Sequence, residues 1–128
     1  MEHFIFLDNP HEFMSENTHN ILMGSSVSDK EHLMNDFQKR LCFPEYFGKN
    51  WDALYDCLLS LDDLVDAHAS KDIALIYEKL PTIDNVSLKR FLEVLHDAAS
   101  TLTNFEGYRM FIVFPQTSFA TVQSLCDG

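Results

Sequence analysis

Two short runs almost free of polar side chains constrain this chain most: IALIY at 73–77 and MFIVF at 110–114. Neither alternates apolar with polar residues, as a strand with one wet face does, so each reads as a strand covered on both faces. Pro81 and Asp84-Asn85 open the stretch between them, in which Leu88, Phe91, Leu92, Leu95, Ala98, Ala99 and Leu102 recur at helical spacing. Strands joined through a helix pair in parallel, because a parallel pair needs a long crossover. An α/β layer architecture with a mostly parallel sheet follows.

The remaining elements fit that frame. Ile21–Met23, closed by Gly24, supplies a third strand, so core strands are expected near 20–24, 72–78 and 109–114. HFIFLD at 3–8 reads as an added strand at an edge of the sheet, in a direction the sequence does not specify. Ser28 opens S-D-K-E, a capping box, and Leu33, Met34, Phe37 and Leu41 follow at helical spacing. A helix over about 29–42 is expected, stopped by Pro44. Asn50 is placed to cap the next helix, with Trp51, Leu54, Tyr55, Leu58 and Leu61 on one face. Short helices are expected through 62–68 and from Thr117 to Leu125. No repeat or Pro/Gly-rich linker divides the chain, so residues 1–128 are expected to form one domain. The expected fold is a three-stranded, mostly parallel sheet covered by helices, with the extra N-terminal strand.

Composition narrows the function. At 46% hydrophobic residues, eleven of them Phe, the chain has material for a real core. Nine Lys and Arg stand against twenty Asp and Glu, a formal net charge of −11. That balance argues against nucleic-acid binding, which needs cations for phosphate, and favours a basic protein partner or simple solubility. Cys42, Cys57 and Cys126 show no C-x-x-C spacing; Cys42 and Cys57 read as small buried hydrophobes, and a disulfide between them stays open. The first residues, MEHFIFLDNPHEF, lack the basic region and long apolar run of a signal peptide, and no stretch has a membrane span's length, so a cytoplasmic address is expected.

Chemistry concentrates between Phe43 and Cys57, FPEYFGKNWDALYDC. A Pro and a Gly lead into a capped helix, which makes a rigid platform. At about 100° per residue, Asp52, Asp56 and Asp63 share a stripe beside the apolar face. Aspartates four apart on a helix repel mildly, so local stability gives no reason for the pair. One reading is an ordinary solvated face. The other is a surface whose repulsion is relieved by a partner's Arg and Lys. Glu45, Asp62, Asp63 and Asp66 extend the same acidic neighbourhood. Catalysis has little support: H-E-x-x-H, G-x-S-x-G and a phosphate-cradling Gly loop are all missing, and His11, His19, His32 and His96 are scattered in polar contexts. A metal held by Asp52, Asp56 and Asp63 is a further alternative. No cofactor is expected.

The run PEYFGKNWDALYDCL at 44–58 resembles the signature segment of the barstar family, bacterial intracellular inhibitors of secreted ribonucleases. It joins an aromatic pair, a Gly, a capping Asn and the D-x-x-x-D spacing. From about Ile21 to Phe114 the order of elements also matches, while the first twenty residues and the tail after Pro115 fall outside. The resemblance implies a non-enzymatic protein, expected to be a monomer, whose loop and helix plug a ribonuclease active site. It places Tyr46 over the nuclease's catalytic His and Phe47 where a second Tyr is frequent. It gives the turn and its cap to Gly48 and Asn50. It makes Asp52 and Asp56 the central acidic contacts, Asp56 standing where substrate phosphate sits. Tyr55 holds a rim position often occupied by Trp. Asp97, on the following long helix, matches an acidic residue that reaches the same nuclease surface. Lys49 and the large Trp51 depart from the family pattern and bear on specificity. A partner of the same physics but different fold, such as another toxin nuclease or a basic nucleic-acid-binding protein, is the alternative.

Overall fold

The computed structural model describes residues 3–61, 72–105 and 108–127. Its strands are β1 (Phe4–Leu7), β2 (Thr18–Leu22), β3 (Asp72–Ile76) and β4 (Met110–Pro115). They form one sheet in the order β1-β4-β3-β2, with every neighbouring pair parallel. The N-terminal strand is therefore a full fourth member at an edge, running with the others. Phe4, Ile112, Leu75 and Ile21 stand in register across the sheet. They share one core with the buried faces of α1 (Lys30–Arg40), α2 (Trp51–Leu58), α3 (Asn85–Phe105) and α4 (Phe119–Asp127).

Ala74, Ile76 and Val113 point the other way and are also fully buried, with Ile5, Leu7 and Phe13 against them. The continuous apolar runs are thus covered on both faces, as their lack of alternation requires. The cover differs from that expected, because among the described residues the helices all pack on one face. Topology explains this. The steps β2 to β3 and β3 to β4 run the same way through the sheet, whereas β1 to β2 runs back across it. Right-handed crossovers put the first two connections on one face and the return on the other. The return carries a 3-10 turn, Pro10–Phe13. That turn seats Phe13 on Phe111 at 5.4 Å between centroids and brings His11 Nε2 to Glu78 Oε1 at 2.6 Å.

Local details correct several expectations. β2 begins at Thr18, ahead of the apolar run, since backbone pairing with β3 extends through polar residues at the sheet edge. The cap of α1 is Asp29 rather than Ser28: its carboxylate accepts the His32 N–H at 2.7 Å. The helix ends at Arg40, and the chain leaves through Cys42 in the left-handed region (φ 56°), with the Phe43 N–H donating to the Gln38 carbonyl at 3.0 Å. Cys42 therefore lies past the apolar stripe and is exposed, not buried; Cys57 is half-buried, and both are free thiols. Asp84 caps α3 by accepting the Ser87 N–H at 2.8 Å, which holds its carboxyl below the usual range. The tail helix forms as expected, preceded by a 3-10 turn at Gln116–Ser118. The helix expected at 62–68 lies outside the described residues. Among the described residues no helix is long and apolar enough to cross a membrane.

Candidate partner-binding face

The loop from Leu41 to Asn50 is anchored from below. Phe43 stacks on Phe37 of α1 (6.5 Å, 7° between planes) and meets Phe47 edge-on at 5.1 Å. The Pro44 carbonyl accepts both the Phe47 N–H and the Gln38 side-chain amide, each at 3.0 Å. Phe47, only 5% exposed, is thus part of the core. Tyr46 beside it is 87% exposed, because the same turn that buries one ring projects its neighbour.

Asn50 caps α2 as expected: its side-chain oxygen accepts the Ala53 N–H at 2.8 Å. The turn before it takes its left-handed residue at Lys49 (φ 53°), not at Gly48. What Gly48 supplies is room, since a Cβ there would come within 3.2 Å of the Asn50 amide. Trp51 is half-buried, with Lys30 Nζ 5.3 Å from its ring centroid. Asp52 and Asp56 are exposed, and among the described residues neither is in an ion pair. Tyr55 is half-buried and its hydroxyl meets Thr101 Oγ1 at 3.0 Å, which ties α2 to α3.

The packing of α2 on α3 sets the geometry of the face. It brings Asp97 of α3 to the same cleft as Asp52 and Asp56, a cleft of about 420 Å³ lined also by Trp51, Arg90 and Val94. Asp97 is 68% exposed, with His96 Nδ1 3.6 Å from its carboxylate. On the other side of Asp56 a second concavity, about 520 Å³, is lined by Phe43, Tyr46, Cys57 and Leu61 among others. Asp56 lines both hollows. Its charge is felt locally: the Cys57 thiol is pushed up, first by burial and then by Asp56. The arrangement offers exposed carboxylates and one projecting aromatic. Among the described residues no group of three His, Cys, Asp or Glu is placed to hold a metal. Asp62, Asp63 and Asp66 lie outside the described residues.

Arg90 and Thr101 were not foreseen. Arg90 had a signal, since it stands seven residues, two turns, before Asp97 on one helix face. Thr101 had none, because only the packing of α2 on α3 gives it a role.

The family described as Barstar (barnase inhibitor) matches residues 18–114. Among the described residues the match takes in β2, β3, α1, α2, α3 and all of β4 but Pro115, and leaves β1 and α4 outside. A Bacillus subtilis (strain 168) protein described as "Putative ribonuclease inhibitor YrdF" is 43% identical over 44 residues, 34% of this chain and 48% of that protein. The aligned region thus spans about half the length of that relative. A parallel α/β sheet, the anchored loop, the capped acidic helix and a match over most of the sequence agree, and the chain belongs to the barstar family.

Proposed function

We propose that this protein is a non-enzymatic inhibitor of a basic ribonuclease, whose active site it covers with the Tyr46 loop and the face formed by α2 and α3. The observation that carries the reading is the convergence of Asp52, Asp56 and Asp97 on one cleft with no Lys or Arg ion pair of their own among the described residues. A site that holds RNA phosphate must be cationic, so carboxylates gathered on one cleft can take the phosphates' place. Exposed acidic charge speeds encounter, and pairs desolvated on docking slow release. Tyr46 supplies the aromatic anchor beside the charges. The reading takes the protein as a cytoplasmic monomer that needs no cofactor.

The test is inhibition of a barnase-type ribonuclease at low and moderate salt. Asp56→Ala is expected to weaken inhibition most, by about 2–5 kcal/mol for a charge pair desolvated at the centre. Asp52→Ala and Tyr46→Ala follow, and Asp97→Ala costs less. Inhibition that is unaffected by Asp56→Ala would sink the site assignment. No inhibition at all would redirect the same face to another basic protein.

A further inference from the structure

The face is not uniformly acidic. Arg90 lines the cleft with Asp52, Asp56 and Asp97. The chain has three arginines, and the other two are committed: Arg40 to Asp36 at 2.7 Å and Arg109 to Asp72 at 2.8 Å. Among the described residues the Arg90 side chain makes no ion pair and no hydrogen bond, although three carboxylates share its cleft. A surface built only to attract cations gains nothing from a guanidinium there. Free in water, Arg90 costs nothing. Covered by a partner, it must find an acceptor or lose its hydration uncompensated.

We infer that Arg90 is a specificity-determining residue: the partner places a carboxylate opposite it, beside the cationic patch that faces Asp52, Asp56 and Asp97. This rests on the ribonuclease reading and narrows it. A nuclease that keeps a carboxylate general base next to its phosphate-binding cations presents that bipolar surface. One that works with histidines and lysines alone does not, and Arg90 then faces a cation. Rejection of such a partner comes from repulsion built into the face, the usual second half of specificity. The planar fork of Arg suits a carboxylate better than the ammonium of Lys.

The experiment compares wild type, Arg90→Ala, Arg90→Lys and Arg90→Glu as inhibitors of two basic enzymes. One is a microbial ribonuclease with a glutamate general base; the other is a pancreatic-type ribonuclease with histidines in that role. For the first, Arg90→Glu is expected to weaken inhibition about thirtyfold or more, with Arg90→Ala intermediate and Arg90→Lys recovering part of the loss. For the second, Arg90→Ala is expected to bind at least as well as wild type. Arg90→Glu tightening on both enzymes would overturn the inference and leave the ribonuclease reading standing. Wild type that inhibits neither enzyme, in an assay where both are active, overturns the reading and this inference with it.

Discussion

Asp56→Asn is expected to make the free protein more stable while it weakens inhibition. Asp56 sits in the last turn of α2, where the helix dipole is unfavourable to a negative charge and no basic residue offsets it. It also stands four residues after Asp52, a like-charged pair on one helix face. Removing the charge relieves both, together about 1 kcal/mol at low salt for an exposed site. Asp52→Asn is the control. It relieves the same repulsion but gives up a favourable first-turn charge, so its net change is expected near zero. Urea denaturation of the three proteins at low and high salt measures this. The gap between the two variants is expected to shrink in salt, which screens exposed charges beyond about 3 Å at 1 M. Equal stabilisation by both variants, or loss of stability in Asp56→Asn, would refute the argument that Asp56 is kept at a cost to the fold.

Three further outcomes are expected. A double-mutant cycle on Tyr55→Phe and Thr101→Ala is expected to show coupling of about 1 kcal/mol in urea melts, and Tyr55→Phe is expected to reduce the effect of Asp97→Ala on inhibition. Asp36→Ala is expected to destabilise by about 1–3 kcal/mol in the same melts, because its nearly buried carboxylate accepts the Gly24 N–H at 2.8 Å and pairs with Arg40. In a chain with Cys42 and Cys126 replaced by Ser, the pH profile of Cys57 alkylation is expected to shift to lower pH in Asp56→Asn, since a negative neighbour opposes thiolate formation. It should stay above the ordinary thiol range, because burial is the larger cause.

The elements were legible where periodicity is local. The runs at 73–77 and 110–114, the apolar stripe of α3 and the Asn50 cap stand as the residues imply. Misplacements arose where one residue competes with the next. Asp29 displaced Ser28 as the cap because either oxygen suits an N-terminus and only backbone geometry chooses. Cys42 looked buried because the helical pattern continues past Arg40, whereas the left-handed exit turns the chain outward.

Of the candidate face, the sequence by itself determined the frame of α2: Asn50 caps it and the spacing sets Asp52 and Asp56 on one stripe, while the part given to Tyr55 is what the family resemblance implies. Tertiary structure decided what joins them. Phe47 was drawn inward by Phe43 while Tyr46 was left outside, and the parallel sheet with α2 packed on α3 brought Asp97 and Arg90, far along the chain, to one cleft. The physical reason is that cap and helix spacing act within a few residues, so a sequence shows them directly. Which distant side chains share a face depends on how whole elements pack.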